Sequence, residues 1–280
     1  MLSITTDYAR DRGCPEPYLR RIAEAGFSHI HWCHQWNTDF LYSPPEIDQI
    51  AAWMREFGLA LTDLHASEGV EKRWTSEREY ERLAGVELVK NRIEMAARLG
   101  SDVIIMHLGQ VPAEPAGRAT FWRQLEKSLD ELQPWAHRHG VRIALENGEF
   151  APIRQVFEHY GPDYLGLCYD SGHGNLSGDG LDGAEALRDR LISIHLHDND
   201  GTGDQHNLLF SGTVDWPRLA GILARSAYRK WVSMEVTMPN SGFEDEALFL
   251  KRAFETGTLF AQMVAWAQEG RPASAWQEKG

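Results

Sequence analysis

The sequence predicts a single (β/α)₈ barrel, an α/β fold in which eight parallel strands close into a sheet surrounded by helices. Short β-type runs alternate with helical patterns along the whole chain, and this order favours a parallel sheet. The chain has 280 residues, and barrels of this type need about 250. The main rival is an open doubly wound sheet, but no G-x-G-x-x-G turn follows the first strand.

The strands are predicted from short runs that are rich in aliphatic and β-branched residues. No run has the length of a membrane span, because even Ser101–Leu108 is only strand-sized and contains a polar residue. We therefore expect no membrane partner. The predicted strands are Leu2–Thr6, His29–Cys33, Ala60–His65, Val103–Leu108, Arg142–Glu146, Tyr164–Asp170, Leu191–His197 and Trp231–Val236.

The helices are predicted from helical periodicity between these strands, and several have recognisable ends. Gly26, Gly58 and Gly140 stand just beyond predicted helices, where glycine is the preferred terminating residue. Pro217 follows Asp215 at a first helical position. The predicted helices are Glu16–Ala25, Pro45–Phe57, Glu77–Leu99, Ala119–His139, Pro152–Tyr160, Ala184–Arg190, Trp216–Ser226 and Glu246–Ala267.

The composition is that of one globular domain, with 42% hydrophobic and 25% charged residues and no Pro/Ser-rich linker. We expect the barrel to span residues 1–267, with a polar C-terminal tail over 268–280. The first residues show no signal peptide. The cysteines, at positions 14, 33 and 168, have no paired spacing, which argues against a disulfide framework and a cysteine zinc site and favours a cytoplasmic location.

The charge balance bears on the partner. The chain has 41 acidic residues against 28 Lys and Arg, for a net charge of −13. A protein that holds DNA through phosphate contacts gains affinity from Lys and Arg, so this excess argues against nucleic acid. A small-molecule substrate is favoured, and a homo-oligomer is compatible with the sequence.

Metal-competent side chains end six of the predicted strands. In a barrel these ends converge on one face, where active sites are built. A lone His or Glu at such a place is commonly structural, but a buried set of carboxylates repels itself unless a cation compensates. Mixed imidazole and carboxylate donors suit Zn²⁺, Mn²⁺, Co²⁺ or Mg²⁺. The residues are His65, His107, Glu146, Asp170, with His173 three positions on, His197 and Glu235.

Two further sets of residues belong to this prediction. Side chains alternate along a strand, so the residue two before each strand end should also face inward. Those residues are Asp63, Ile105, Ala144, Cys168, His195 and Ser233. The loop after the seventh strand carries Asp204 and His206 as D-x-H, which is either an ordinary polar turn or a further metal arm.

Aromatic residues near the strand ends are candidates for substrate contact. Trp32 and Trp36, in HIHWCHQWN, could form an apolar wall for a sugar ring, with His34 between them. Trp74, in the loop EKRWTSE, could act as a lid. Aromatic side chains at such positions serve equally well in packing, so both roles stay open.

The motifs LENG, YDSGH, IHLHDND and the glutamate of SMEV resemble those of the xylose isomerase-like TIM barrel superfamily. That superfamily includes tagatose and psicose 3-epimerases, inosose dehydratase, hydroxypyruvate isomerase and endonuclease IV. The resemblance covers nearly the whole chain. It specifies the fold and the site better than the substrate.

Similarity to the epimerases implies that Glu146, Asp170, His197 and Glu235 bind a central metal, with His173 beside the substrate. Glu146 and Glu235 would act as an acid/base pair on opposite faces of a ketose. The motif HLHD offers two inward-facing histidines. We choose His197 as the ligand, because Asp200 then matches the acidic residue that the family pattern places three positions later. His195 would lie one layer deeper, on the substrate side or in the core.

Similarity to endonuclease IV implies a trinuclear zinc cluster instead. All of its ligands have matches in this chain, so the resemblance implies one to three divalent ions. The matching residues are His65, His107, Glu146, Asp170, His173, His197, Asp204, His206 and Glu235.

The leading hypothesis is a metal-dependent isomerase or epimerase of a small sugar or polyol. It would move a proton at the carbon next to a metal-bound carbonyl, through a cis-enediolate stabilised by the cation and by His173. The alternatives are an endonuclease IV-like phosphodiesterase, a keto-sugar dehydratase or lyase on the same site, and an inactive sensor. No basic cluster accompanies the strand ends, which favours an unphosphorylated substrate.

Overall fold

The computed structural model describes residues 1–9 and 13–276. Within these residues, parallel strands form one sheet in the order β7-β6-β5-β4-β3-β2-β1-β8. The single barrel that the sequence predicts is confirmed. The strands are β1 (Leu2–Thr5), β2 (His29–Trp32), β3 (Ala60–His65), β4 (Val103–His107), β5 (Arg142–Glu146), β6 (Leu165–Asp170), β7 (Leu191–His195) and β8 (Val232–Met234).

The barrel closes where the two ends of this order, β7 and β8, meet. Leu196, just after β7, forms a parallel bridge with Met234. The Leu196 N–H donates to the Ser233 carbonyl at 3.0 Å, and the Glu235 N–H donates to the Leu196 carbonyl at 3.0 Å. The closing contact therefore fixes the backbone of Glu235 beside the end of β7.

Helices connect the strands and pack on the outside of the sheet. Gly58 ends α2 with φ 69° and Gly140 ends α4 with φ 65°, as the sequence predicts. Ser43 and Glu46 form a capping box at the start of α2. The helices are α1 (Glu16–Glu24), α2 (Pro44–Phe57), α3 (Glu79–Arg98), α4 (Pro115–His139), α5 (Phe150–His159), α6 (Ser171–Leu176), α7 (Gly180–Ala186), α8 (Trp216–Arg225) and α9 (Glu246–Gln268).

The connection between β6 and β7 differs from the prediction of one helix over Ala184–Arg190. The chain forms α6 and α7 there, followed by a 3₁₀ turn at Arg188–Arg190. The glycines of this stretch have a low helix propensity, but a side-chain cap at the start of α6 stabilises the helix there. The Asp170 carboxylate accepts the His173 N–H at 2.7 Å and so starts α6 directly at the end of β6.

Part of the barrel interior below the mouth is apolar. Ile105, Ala144 and Cys168 form a buried cluster with Val103 and Ile192. The first three are among the residues that strand alternation predicts to face inward. These apolar side chains fill part of the layer beneath the carboxyl ends of the strands.

The C-terminal residues return to the barrel after α9. Ala273 is buried, Trp276 packs against the core, and Trp266 Nε1 donates to the Pro272 carbonyl at 3.3 Å. The last four residues of the predicted tail, 277–280, lie outside the described residues. Of the helices that the structure describes, none combines the length and the apolar composition that crossing a membrane requires.

Candidate metal centre

Four buried side chains from four strand ends meet at the mouth of the barrel. Their donor atoms lie within 4.8 Å of one another. His195 Nδ1 lies 3.3 Å from Glu146 Oε1 and 3.2 Å from Glu235 Oε2. His65 Nε2 lies 3.4 Å from Glu146 Oε2 and 3.6 Å from Glu235 Oε1. We call His65, Glu146, His195 and Glu235 the central cluster.

A second group lies beside the central cluster. His197 Nε2 is 3.0 Å from Asp170 Oδ1 and 3.6 Å from Asp204 Oδ1. His173 Nε2 and His206 Nε2 approach Asp204 Oδ2 at 3.4 and 3.2 Å. We call Asp170, His173, His197, Asp204 and His206 the outer cluster. Asp204 and His206 of the D-x-H loop therefore lie beside the other candidate ligands. This position favours the metal arm over the ordinary polar turn.

Glu146 connects the two clusters. Its Oε1 lies 3.5 Å from His173 Nδ1, and it forms one donor group with Asp170 and His173. His107 Nε2 lies 3.5 Å from Glu146 Oε2, and its ring stacks on His65 with centroids 5.1 Å apart. Four histidines thus surround the Glu146 carboxylate: His65, His107, His173 and His195.

The two histidines of strand seven occupy different clusters, and each belongs to a group that could hold a metal: His195 with His65, Glu146 and Glu235, and His197 with His206 and Glu235. His195 lies between Glu146 and Glu235, whereas His197 stacks on His206 with centroids 3.9 Å apart. An acidic residue lies three positions after each histidine, Asp198 after His195 and Asp200 after His197. Asp198 is buried and accepts the Trp216 indole N–H at 2.9 Å, while Asp200 is exposed in its own turn.

Two polar residues of the motifs LENG and YDSGH, Asn147 and Ser171, position these donors. The Asn147 amide bridges β5 and β6, since it accepts the Asp170 N–H at 2.7 Å and donates to the Asp170 carbonyl at 3.0 Å. The Ser171 hydroxyl accepts the His197 N–H at 2.9 Å and donates to its carbonyl at 2.6 Å. The backbones of Asp170 and His197 are therefore each fixed by a two-way hydrogen bond.

A buried pair, His31 and Asp63, lies beneath the central cluster. The sequence predicts that Asp63 faces inward but does not indicate His31. His31 Nδ1 lies 2.6 Å from Asp63 Oδ1, and Ser193 donates to the other oxygen of Asp63. Burial alone would raise the pKa of Asp63, but the imidazoles of His31 and His195 outweigh it and hold this pKa at about 2. His31 could have been found from alternation, because it lies two residues before Cys33 on an inward face.

Cys33 also lies in the site, although its sequence spacing argues against a cysteine metal site. Its Sγ lies 2.9 Å from His31 Nε2 and 3.6 Å from Glu235 Oε1. His31 lies two residues before it, but Glu235 follows another strand, so spacing along the chain does not reveal that contact. Asp7 likewise follows β1 in the motif TTD, and with Cys33 it lines a cavity of about 510 Å³.

The candidate substrate-binding residues differ in their burial and in their contacts with the site. Trp36 is half-buried and stacks on His65, with centroids 4.8 Å apart and an angle of 28°. The His34 ring contacts the Tyr42 hydroxyl at 2.9 Å. Trp32 and Trp74 lie in the hydrophobic core, with exposures of 0% and 3%, which leaves neither indole a face for a ligand. Because Trp74 is buried in the core, it cannot act as the lid that the sequence suggested.

The carboxylates of the central cluster remain ionised beside imidazoles. Burial by itself would raise the pKa of Glu146, but His107 and His195 outweigh it and the pKa is lowered. The same balance, dominated by His195, holds the pKa of Glu235 well below its usual value. Burial lowers the pKa of His65 to about 4, so this ring is neutral at pH 7, the form that binds metals.

The buried donors are incompletely satisfied by the protein. Within the described residues, several buried polar atoms of the site lack a hydrogen-bond partner, and each such atom is costly unless another group binds it. They are Glu146 Oε2, Asp170 Oδ2, His65 Nδ1 and both ring nitrogens of His195 and His197. A divalent cation fits this set, since it accepts both imidazole and carboxylate donors.

A family model described as xylose isomerase-like TIM barrel matches residues 19–253. The chain belongs to the xylose isomerase-like TIM barrel family. The uncharacterized protein y4fM of Sinorhizobium fredii is 31% identical over 280 residues, which cover 90% of each chain. "Probable endonuclease 4" of Mycobacterium leprae is 26% identical over 151 residues, which cover 48% of this chain and 58% of its own length.

Solved members of the xylose isomerase-like barrels superpose along nearly the full chain. An L-ribulose 3-epimerase has a TM-score of 0.79 at 17% identity and covers 100% of this chain and 99% of its own. A D-tagatose 3-epimerase-like protein has a TM-score of 0.76 at 21% identity, covering 94% and 98%. At these identities the likeness shows the fold alone.

Proposed function

We propose that the protein is a divalent-metal-dependent epimerase or isomerase of a small sugar or polyol. One observation carries the proposal: two buried carboxylates, Glu146 and Glu235, face the same imidazole, that of His195, at 3.3 and 3.2 Å. Two ionised carboxylates converging on one small site suit proton removal on one side and proton return on the other. The structural neighbours named as sugar epimerases support this assignment.

His195 and the two glutamates of the central cluster would hold the cation, together with Asp170. When bound, it would polarise the substrate carbonyl and acidify the neighbouring C–H. One glutamate carboxylate takes the proton from that carbon and later releases it to the solvent. The other carboxylate takes up a proton from the solvent and returns it to the opposite face of that carbon. His173, whose pKa is raised chiefly by the neighbouring Asp170, donates a hydrogen bond to the developing enediolate oxygen.

The cavity beside Glu146 supports a small, unphosphorylated substrate. Its volume is about 320 Å³, and Gln110 and Glu149 add polar groups that can bind hydroxyls. Among the described residues that line it, none is Lys or Arg. Since a phosphate group would need a compensating cation or several donors, a neutral polyol fits this cavity better.

The test compares Glu146→Gln and Glu235→Gln with the native protein on a panel of ketoses. Each variant removes one proton carrier, so we expect kcat to fall by about a hundred- to ten-thousand-fold with the fold retained. Glu158→Gln, which changes an exposed glutamate on α5, is the matched control and should keep native activity. Near-native turnover in both site variants would exclude this mechanism.

An endonuclease IV-like phosphodiesterase is the second candidate. The observation that favours it is the outer cluster, because His173 and His206 both approach Asp204 and could hold a further cation. The same variants are therefore also assayed on an abasic oligonucleotide. Cleavage of that substrate without ketose conversion would assign the site to phosphodiester hydrolysis, and loss of water from a ketose would assign it to a dehydratase.

A further inference from the structure

We propose that the floor of the site binds a second, thiophilic divalent cation such as Zn²⁺, through Cys33, His31 and Glu235, with His65 as a fourth donor. These four residues are buried, and their donor atoms lie within 4.8 Å of one another. The proposal goes beyond the epimerase function, because the central cluster can hold its cation whether or not this one binds. We call His31, Cys33, His65 and Glu235 the thiolate site.

The distances between the donors suit a tetrahedral ion. Zinc lies about 2.0–2.3 Å from nitrogen, oxygen and sulfur ligands, so neighbouring ligands of a tetrahedron lie about 3.3–3.8 Å apart. Glu235 Oε1 is 3.6 Å from Cys33 Sγ, 3.7 Å from His31 Nε2 and 3.6 Å from His65 Nε2. Cys33 Sγ and His31 Nε2, now 2.9 Å apart, would separate as the ion enters between them.

The surroundings of His31 resemble the support that metal-binding histidines receive. Asp63 Oδ1 lies 2.6 Å from His31 Nδ1, and Ser193 in turn donates to Asp63. A carboxylate partner at Nδ1 keeps that nitrogen protonated and leaves the lone pair on Nε2, which faces Cys33. The backbone N–H of Cys33 donates to Thr6 Oγ1 at 3.0 Å, which fixes the position of the thiol.

Glu235 can serve two cations because its oxygens face different partners. Oε2 lies 3.2 Å from His195 in the central cluster, whereas Oε1 faces the thiolate site. His65 is the shared donor, since its Nε2 also lies 3.4 Å from Glu146 Oε2. When His65 binds the central cation, the thiolate site keeps three protein ligands, and the cavity of about 510 Å³ lined by Cys33 supplies the remaining position.

Binding forms a metal–sulfur bond and breaks the S–H bond of Cys33, and the proton leaves to the solvent. Sulfur distinguishes the two sites chemically. A soft thiolate selects Zn²⁺, Cd²⁺ or Co²⁺ over Mg²⁺, whereas the carboxylates and imidazoles of the central cluster accept Mn²⁺ and Mg²⁺ as well. The protein should therefore bind one more equivalent of Co²⁺ than of Mg²⁺.

The experiment titrates metal-free protein with Co²⁺ and follows its absorption spectrum. We expect a thiolate-to-cobalt charge-transfer band in the native protein, and its complete loss in Cys33→Ser and Cys33→Ala with about one fewer equivalent of bound Co²⁺. Cys14→Ser and Cys168→Ser are the matched controls and should keep the band. Circular dichroism of each variant reports whether it is folded.

Several results would overturn the thiolate site. They are the absence of the band in native protein that binds Co²⁺, its persistence in a Cys33 variant, and its loss in the Cys168 variant alone. The native spectrum is decisive even where a variant does not fold. Failure here leaves ketose turnover and its dependence on Glu146 and Glu235 untouched, so it is distinguishable from failure of the proposed function.

Discussion

At the scale of single residues, Gly172 shows how closely the site is packed. A Cβ at this position in α6 would lie 1.9 Å from Cε1 and 2.5 Å from Nδ1 of His197. His197 is fully buried and its backbone is fixed by Ser171, so the ring has little room to move away. A side chain at 172 must therefore displace a donor of the outer cluster.

We accordingly expect Gly172→Ala to destabilise the fold by about 1–3 kcal/mol, as overpacking does, and to weaken zinc binding at least tenfold. Gly178→Ala is the control, because a Cβ there meets no atom within 4 Å. Thermal unfolding and zinc titration by calorimetry measure the two effects. Equal behaviour of the two variants would show that the His197 ring is not constrained by this contact.

The sequence anticipates the site residues that end strands and carry metal-type side chains. Glu146, Asp170 and Glu235 follow from their positions alone, because every strand of the barrel points its carboxyl end to one face. It does not anticipate Cys33 or His31. Apart from each other, their partners lie on other strands, and those contacts depend on the register between strands, which spacing along the chain does not encode.

At the scale of elements, α3 holds the loop that covers the site. Arg92 of α3 is fully buried and donates to the carbonyls of Phe40 at 3.0 Å and Gln35 at 3.4 Å. Its guanidinium also lies 4.5 Å from the centroid of the Tyr42 ring. The loop between β2 and α2 carries Trp36, which stacks on His65, so Arg92 supports one wall of the site.

Arg92→Met should destabilise the protein by about 2–4 kcal/mol, because it leaves buried carbonyl groups without donors. Arg98→Met, on the same helix, removes a partly exposed pair with Asp48 and should cost about 1 kcal/mol or less. Urea unfolding gives both values. If Arg92→Met were no more destabilising than Arg98→Met, the loop would have to be held by other contacts.

The sequence predicts the bounds of some elements more accurately than those of others. Strand positions agree with the prediction to within two residues, because buried parallel strands are short continuous apolar runs. The helices between β6 and β7 differ from the prediction. The glycines that disfavour a helix in this region are needed there for close packing. Gly174, for example, leaves room for the Tyr169 hydroxyl, which a Cβ would approach to 2.3 Å.

At the scale of the whole molecule, an acidic chain of net charge −13 concentrates buried carboxylates at one end of its barrel. Without a cation, protonated imidazoles compensate for them. Asp170 raises the pKa of His173 to about 11. Burial opposes protonation of His206, but its contact with Asp204 outweighs burial and raises its pKa to about 10.

These shifts predict how metal binding depends on pH. Both folded pKa values exceed the value of 6.5 for a free histidine, so the ion pairs stabilise the metal-free protein fully below about pH 6.5. That stabilisation is lost as pH rises toward 10. A metal ion in the outer cluster, which the phosphodiesterase candidate requires, must displace the same protons, so its affinity increases with pH. As the pH rises, both effects increase the difference in free energy of unfolding between metal-loaded and metal-free protein.

We therefore expect the difference in Tm between zinc-loaded and chelator-treated protein to widen from pH 6 to pH 8. At a free zinc concentration a thousandfold above Kd, binding adds about 4 kcal/mol, which raises Tm by about 8–16 °C for a chain of this size. Differential scanning calorimetry in both states measures it. A difference that stays constant or narrows as pH rises would mean that zinc displaces no protons from His173 and His206, and hence that the outer cluster does not bind it.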